Sequence, residues 1–265
     1  MTREEKKVGR RAKQQQAADK KAVDEARYFR ECQQQAGRGG AQNSAKGEAE
    51  LFQKQGAAGI NFDTYDKIEV QLSGTNSGAA PTLGHFNDLG TQLPAFLARN
   101  VGLMNYTRPT PIQKHAIPLA LVGCDLMCCA QTGSGKTAAF LLPVCAALGS
   151  EGSTVTPGAP QAEPRCVVMA PTRELASQIN LEAEKLTNRS GLRAVVVYGG
   201  ADQKKQIREL AYGCDIIVAT PGRLTDFIER SIVTMAYVQY LVLDEADRML
   251  GACGASPTSL PHSPA

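Results

Sequence analysis

The sequence has no tryptophan, no apolar run near membrane length and no apolar stretch behind its N-terminus. A membrane-spanning helix needs about 20 consecutive apolar residues, and a secretory signal needs an apolar segment after its basic start. We therefore expect neither an anchor nor a leader. The eight cysteines are scattered, and even the cluster Cys124, Cys128 and Cys129 has no CxxC spacing or nearby histidine. This pattern predicts buried thiols in a reducing compartment and no metal site of cysteines.

Positive charge is concentrated at the N-terminal end of the chain. The first 35 residues contain ten Lys/Arg and six Asp/Glu, whereas the whole chain has a net charge of only +3. This segment is rich in glutamine and poor in apolar residues, which predicts a frayed helix or disorder and no part in a core. Such a tail adds sequence-independent affinity for phosphate backbones, contacts protein partners, or only keeps the chain in solution. The sequence leaves these alternatives open.

Composition divides the chain into four parts. Residues 1–58 are the basic, Gln/Ala/Gly-rich tail. Residues 59–84 form a lead-in, with an ordered stretch at Ile60–Asp66 followed by a Gly/Ser/Asn linker. Residues 85–250 form the globular domain, and residues 251–265 form a disordered Gly/Ser/Pro-rich end. Only the globular part is long enough to bury a sizeable core.

Short apolar runs alternate with helical stretches in the globular part. Apolar runs without a polar alternation suit strands that are covered on both faces, and hence a parallel sheet. Repeated strand–helix units predict an α/β fold, a doubly wound parallel sheet flanked by helices. We predict strands at Asp125–Ala130, Cys166–Ala170, Ala194–Tyr198, Asp215–Ala219 and Tyr240–Leu243. We predict helices near 137–148, 174–188, 202–212 and 223–231.

Motifs with polar or glycine residues directly follow four of these predicted strands. They are Gln131–Thr137, Pro171–Arg173, Thr220–Arg223 and Asp244–Asp247. In open parallel sheets, ligands bind beyond the carboxyl ends of the strands. The placement of the motifs therefore predicts that a ligand binds along one edge of the sheet, at the carboxyl ends of the strands.

The segment Ala130–Thr137 has the pattern of a phosphate-binding loop followed by a helix. Gly133 and Gly135 allow the backbone to curl so that its N–H groups face one anion. Lys136 adds a positive charge for the terminal phosphates, and Thr137 adds a hydroxyl for Mg²⁺. The segment predicts a nucleotide site.

Asp244 and Glu245 end the last predicted strand, beside this loop. At that position Asp244 would hold Mg²⁺, directly or through water, and Glu245 would orient and deprotonate the attacking water. Asp247 would tether a neighbouring element. The alternative is a solvated acidic cluster, which is what most charge runs are.

These motifs together resemble the DEAD-box family of ATP-dependent RNA helicases. That family has alanine at the first position of its phosphate loop, as at Ala130, and Asp244–Asp247 is its namesake motif. Tyr106–Gln113, preceded by Phe86, is similar to its Q motif; alone, the prolines of this stretch only mark a helix start. The resemblance implies that Gln113 recognises adenine while the two aromatic residues pack near the base, favouring ATP over GTP. The nucleotide-binding residues that it implies are Phe86, Tyr106, Arg108, Gln113, Ala130, Gln131, Thr132, Gly133, Ser134, Gly135, Lys136 and Thr137.

Three further motifs are similar to RNA-contacting motifs of that family. Helix N-termini, glycine backbone and arginine side chains suit contacts with sugars and phosphates without base readout. Each motif alone is an ordinary turn between elements, and the order of all three supports the resemblance. The RNA contacts that it implies are Pro171, Thr172, Arg173, Gly199, Gly200, Thr220, Pro221, Gly222 and Arg223.

The resemblance covers residues 58–250 and implies a RecA-like domain. Ile60–Asp66 is similar to a segment in the branch that contains Vasa and the cytosolic translation-initiation helicases, which implies a cytoplasmic protein. Family members continue with a second RecA-like domain that carries arginine fingers, and those later motifs do not occur in these 265 residues. We therefore expect weak binding of ATP, Mg²⁺ and RNA, very slow hydrolysis and no unwinding by this chain alone.

Two other functions remain open. The chain could be a non-catalytic fragment that binds RNA or a protein partner. It could also be a single-domain P-loop ATPase that works in an oligomer, where a neighbouring subunit supplies the missing arginine.

Overall fold

A computed structural model describes residues 3–39, 47–53, 68–155 and 159–252. The predicted stretch Ile60–Asp66 and the end 253–265 lie outside the described residues. The helices are α1 (Arg3–Gly39), α2 (Glu48–Gln53), a 3₁₀ helix (Phe86–Gln92), α3 (Ala95–Leu103), α4 (Pro111–Leu121), α5 (Lys136–Glu151), α6 (Arg173–Leu186), α7 (Gln203–Ala211), α8 (Pro221–Glu229) and α9 (Ala246–Ala252). The strands are β1 (Cys166–Met169), β2 (Ala194–Val197), β3 (Ile216–Ala219) and β4 (Tyr240–Leu243). Within these ranges, no helix is both long and apolar enough to cross a membrane.

The four strands form one parallel sheet in the order β2-β3-β1-β4. Their register is level, because Met169 of β1 lies opposite both Ala219 and Leu243. The carboxyl ends of all four strands therefore meet at one edge. This arrangement confirms the predicted α/β fold with helices around a parallel sheet.

The central strands are covered on both faces, as their unbroken apolar runs predict. In β1, Val168 belongs to the core on one face and Val167 to the core on the other; in β3, Val218 and Ile217 divide in the same way. Helices α3 to α6 supply apolar residues to the first core, whereas α1, α7 and α8 supply them to the second.

The predicted strand Asp125–Ala130 is wrong. This segment has no secondary structure assigned and no sheet partner among the described residues. Nor is it buried: Met127 is 94% exposed, and Cys128 and Cys129 are exposed, contrary to the expectation of buried thiols. The physical reason is that an apolar run indicates a preference for extended chain, but a strand also needs a neighbour for its hydrogen bonds.

Strand β4 also departs from the expectation of burial on both faces. It pairs with β1 only, so it forms one edge of the sheet in the part of the chain that the structure describes. Leu241 is 62% exposed and Leu243 is 50% exposed. The edge and one face of this strand thus carry uncovered apolar surface.

The basic N-terminal segment contributes to a core, which corrects the expectation that it could not. It forms the long helix α1, whose Phe29 and Cys32 are buried in the second core. The charged and glutamine-rich composition hides this contact because two well-placed residues on one helical face are enough to dock it. Farther along, Glu48 of α2 forms ion pairs with Arg99 and Arg189, and its hydrogen bond with Arg99 lowers the pKa of Glu48 to about 2.

Candidate nucleotide and RNA site

The sheet brings the predicted motifs to one edge. Pro171–Arg173 follows β1, Gly199–Gly200 follows β2, Thr220–Arg223 follows β3, and Asp244–Asp247 follows β4. Because the four strands end level, these motifs lie side by side at the carboxyl edge, where ligands bind in such sheets.

The loop before α5 has the curled backbone that a phosphate site needs. Gly133 and Gly135 have φ values of 81° and 87°, in the left-handed region that side chains disfavour. Two features exclude a side chain at Gly135. Its φ value is unfavourable for one, and an added Cβ would lie 2.5 Å from Gln113 Nε2. Helix α5 begins directly afterwards at Lys136, so its N-terminal amides and positive dipole end face the loop.

Lys136 joins the loop to the acidic end of β4. Its Nζ donates to the carbonyl oxygens of Ala130 at 2.6 Å and Gln131 at 3.0 Å, so the ammonium lies inside the loop. Burial raises the pKa of Asp244, and the nearby Lys136 charge lowers it in part. The charges of Lys136 and Asp244, 108 positions apart in the sequence, therefore interact.

Glu245 adopts an unusual backbone conformation. Its φ of 51° is rare for a residue with a side chain and costs on the order of 1–3 kcal/mol. Its N–H donates to Asp244 Oδ1 at 3.1 Å, and its carboxylate pairs with Arg248 at 3.1 Å. The turn after β4 is thus strained and held from both sides, which fixes the direction of the two carboxylates.

The residues of this loop fit a nucleotide phosphate and Mg²⁺. Ser134 Oγ is buried and has no hydrogen-bond partner within the described residues, so the loop contains an unsatisfied polar atom. The donors present are backbone N–H groups, an ammonium and hydroxyls, which suit an anion, and the Asp244 carboxylate suits a hard cation.

The predicted Q motif contacts the phosphate loop directly. Gln113 Oε1 accepts from Thr110 N at 2.9 Å, and Gln113 Nε2 donates to Gly135 O at 3.1 Å. Thr110 Oγ1 donates to Ser134 O at 2.6 Å. Thr110 is the residue that sequence reasoning missed, although Thr-Pro-Ile-Gln is a recognisable capping box at the start of α4. The structure thus gives Gln113 a contact with the loop besides the predicted contact with adenine.

The two predicted aromatic residues lie together. The rings of Phe86 and Tyr106 stack with centroids 5.4 Å apart. Phe86 is buried, whereas Tyr106 is partly exposed and donates from its hydroxyl to Glu182 at 3.2 Å. Burial and the Glu182 carboxylate raise the pKa of the Tyr106 hydroxyl. Of the two rings, that of Tyr106 is the more exposed.

The predicted RNA motifs form helix starts and a glycine turn. Thr172 caps α6 by accepting from Leu175 N at 3.3 Å. Gly200 has a φ of 78°, and a Cβ built on it would lie 4.0 Å from an Arg173 nitrogen, so the first two motifs are neighbours. Arg223 is only 8% exposed and lies 5.2 Å from the ring centroid of Phe227.

The parallel sheet, the glycine loop that starts α5 and the acidic end of β4 define a RecA-like P-loop fold. Residues 110–259 match the model of the DEAD/DEAH box helicase family, and the chain belongs to this family.

Relatives and solved structures agree with this assignment. The chain is 50% identical over 192 residues to the probable ATP-dependent RNA helicase DDX4 of Rattus norvegicus and 49% identical to that of Sus scrofa. Each alignment covers 72% of this chain and 26% of the relative, so the chain spans about a quarter of their length. It is also similar to the RNA helicase Prp28 from Chaetomium thermophilum bound to ADP, with a TM-score of 0.59 and 42% identity over 66% of this chain and 42% of that one. These findings confirm the predicted DEAD-box family and RecA-like fold.

Proposed function

We propose that the chain is the ATP-binding and RNA-binding first half of an ATP-dependent RNA helicase. The observation that carries this proposal is that the charge of Lys136, in the phosphate loop, acts on the buried carboxylate of Asp244, which places a phosphate cradle near a carboxylate suited to a metal. Membership of the DEAD/DEAH box family and the helicase relatives support it over an unrelated single-domain ATPase.

Each residue of the nucleotide site has a distinct role in this proposal. The loop amides and Lys136 bind the phosphates, while Thr137 and Asp244 hold Mg²⁺, directly or through water. When bound, the metal neutralises charge on the phosphate oxygens. Glu245, fixed by its turn, orients the attacking water and takes its proton. Gln113 both supports the loop and contacts adenine, and Tyr106 packs near the base.

RNA binds along the level ends of the other strands. The α6 and α8 N-termini and the turn at Gly199–Gly200 offer backbone N–H groups and little side-chain surface for base recognition. Contacts of this kind go to phosphates and sugars, so binding is independent of base sequence. The basic residues of α1 add affinity for the same backbone.

The 265-residue chain by itself is proposed to turn over slowly and not to unwind RNA. Arginine fingers raise the turnover rate of phosphoryl-transfer enzymes by a factor of about 10³–10⁵. The resemblance to DEAD-box helicases implies that these arginines lie in a second RecA-like domain. Unwinding also requires two domains to close on the strand. A reducing, cytoplasmic location remains a prediction.

The test is nucleotide binding and ATP hydrolysis by the purified chain, with and without single-stranded RNA. We expect Mg²⁺-dependent ATP binding that Lys136→Ala weakens at least tenfold, since a charge-assisted hydrogen bond contributes about 1.5–3 kcal/mol. Lys205→Ala, an exposed lysine on α7, is the matched control. ATP binding that Lys136→Ala leaves unchanged would overturn the nucleotide site.

Hydrolysis then separates the remaining alternatives. We expect no RNA-stimulated turnover from the chain alone. Stimulated turnover that Glu245→Gln abolishes would favour the oligomeric ATPase, because a second copy would then supply the arginine. RNA binding without any nucleotide binding would favour a non-catalytic RNA-binding fragment.

A further inference from the structure

Helix α1 and the turn after β2 enclose a cleft of about 820 Å³. One wall is α1 between Lys21 and Glu31, the other is Gly200–Lys204, and Arg223 completes the lining. Gly200 and Arg223 are also members of the predicted RNA motifs. The cleft therefore continues the binding edge of the sheet toward the N-terminal helix.

The position of α1 in this cleft is fixed by several contacts. Phe29, 1% exposed, is buried in the core that also contains Ile207 and Phe227. Glu25 pairs with Arg230, the residue directly after α8. At the mouth of the cleft, Lys21 Nζ donates to the side chain of Gln203 at 3.3 Å. The helix is thus a docked wall of the cleft.

Two cations in the lining have no anionic partner. Arg223 Nη1 is buried and has no hydrogen-bond partner among the residues that the structure describes. Lys204 is exposed and forms no ion pair with any of them. A buried guanidinium nitrogen without a partner costs free energy unless a ligand satisfies it, and a phosphate oxygen is a strong acceptor for it.

Most acidic groups of the lining are already engaged. Glu25 pairs with Arg230, Glu31 pairs with Arg27 at 2.9 Å, and Asp202 caps α7 by accepting from a backbone N–H at 2.9 Å. Only Asp24 has no partner within the described residues. Among the described residues, the lining thus has two unpaired cations, Lys204 and Arg223, against one unpaired acid.

We propose that this cleft binds phosphates of single-stranded RNA and extends the RNA-binding edge, with α1 as its outer wall. The inference rests on the proposed function, since it assigns a second part of the same RNA surface. The sequence of α1 before the cleft is also basic, since residues 3–20 contain seven Lys/Arg and three Asp/Glu.

The experiment compares two adjacent lysines of α7. Lys204 lines the cleft, whereas Lys205, which is also exposed, does not. Affinity of the full chain for a labelled oligouridylate is measured against salt concentration with Lys204→Ala and Lys205→Ala. Loss of one phosphate contact on a single strand lowers the salt slope by about 0.7 and the affinity about fivefold at 0.1 M salt. We expect both changes for Lys204→Ala and neither for Lys205→Ala.

Two further variants test the role of α1. Asp24→Asn removes the one unpaired acid and should tighten RNA binding. Phe29→Ala should undock α1 and weaken RNA binding, with thermal unfolding used to confirm that the domain is folded. If the folded Phe29→Ala variant binds RNA more tightly, α1 blocks the RNA-binding edge instead of extending it, and the proposal is wrong.

The outcomes distinguish this inference from the proposed function. If the unaltered chain binds RNA but Lys204→Ala and Lys205→Ala behave alike, only the cleft is overturned. If the unaltered chain binds no RNA with or without nucleotide, both are overturned.

Discussion

Gln113 and Gly135 are joined by a hydrogen bond of 3.1 Å between Nε2 and the carbonyl oxygen, and the glycine leaves no room for a Cβ there. The opposite end of the same amide accepts from Thr110 N. One buried side chain therefore fixes both the start of α4 and the last bend of the phosphate loop. A residue that family resemblance assigns to adenine thus also contacts the loop that is predicted to bind phosphate.

Gln113→Glu should weaken nucleotide binding whether or not a base is present. The variant keeps an acceptor for Thr110 N but replaces the donor to Gly135 with an oxygen that faces the carbonyl, a loss of about 1–3 kcal/mol. We expect ATP and inorganic tripolyphosphate to lose affinity by similar factors, measured by calorimetry. Gln178→Glu, at an exposed position of α6, controls for the added charge. Unchanged tripolyphosphate affinity would show that Gln113 acts through adenine alone.

Asp244→Asn should stabilise the fold while abolishing Mg²⁺-dependent nucleotide binding. Asp244 is only 8% exposed, and burial raises its pKa, so its ionised form is unfavourable in the folded state. We expect a gain of about 1 kcal/mol, equivalent to about 2–4 °C in Tm for a chain of this size. Asp125→Asn, at an exposed position outside the helices and strands, should change neither property. A lower Tm for Asp244→Asn would contradict the cost assigned to this charge.

The same shift gives the Asp244→Asn effect a pH dependence. Since the folded chain holds the Asp244 proton more tightly than the unfolded chain, the cost of ionisation is absent in acid. It grows as pH rises from the unfolded pKa to the folded pKa and is complete above it. The Tm difference between Asp244→Asn and the unaltered chain should therefore be largest near neutral pH and vanish in acid.

Asp215→Ala should destabilise the domain strongly without altering the nucleotide site. Asp215 and Arg165 form a buried ion pair at 2.9 Å, and Asp215 also accepts from Arg193 N at 2.9 Å. Removing the carboxylate leaves the buried Arg165 with Glu151, at 3.0 Å, as its remaining carboxylate partner. We therefore expect a cost toward the lower end of the about 3–5 kcal/mol of a broken buried ion pair, measurable by urea unfolding. The pair lies at the amino ends of β1 and β3, opposite the binding edge, so the folded fraction should bind ATP normally.

An exposed ion pair provides the control for Asp215→Ala. Glu31→Ala breaks the pair with Arg27 on α1, whose side chains are mostly in solvent, and should cost less than about 1 kcal/mol. Equal effects of the two substitutions would show that burial does not set the cost.

Leu241→Lys should reduce self-association of the purified chain. Among the described residues, β4 has no strand on its outer edge, and Leu241 and Leu243 beside that edge are exposed. Such an edge is a template for pairing with another chain. Light scattering over a range of concentrations should show association that Leu241→Lys lowers. Val122→Lys, at an exposed valine on the turn after α4, should not lower it. If the unaltered chain is monomeric at every concentration, the prediction that it associates through β4 is wrong.

Local sequence was sufficient for the features that depend on local chemistry. The apolar runs of β1 and β3 predicted two-sided burial, and Gly133, Gly135 and Lys136 predicted a curled loop before a helix; the structure has each of these. It was not sufficient for features that depend on a distant neighbour. Residues 125–130 have the composition of a strand, yet pairing depends on what lies beside them.

The same limit explains the error at α1. Phe29 is one apolar residue in a charged helix, and only the surface formed by α7 and α8 makes it a core residue. The hydrogen bond from Thr110 Oγ1 to Ser134 O likewise joins segments that are 24 positions apart. A capping-box pattern predicts the start of α4, but not what that start will touch.

The burial of Phe29 and Cys32 changes how the N-terminal segment should be treated in the laboratory. Composition would place the domain boundary at residue 85, and a shortened protein begun there would lack α1 and α2. Ile207 and Phe227 would lose their cover, and Arg99 would lose its carboxylate partner Glu48. Weak RNA binding by such a protein would then report a damaged fold as much as a missing basic arm, so deletion and charge-reversal experiments on this segment answer different questions.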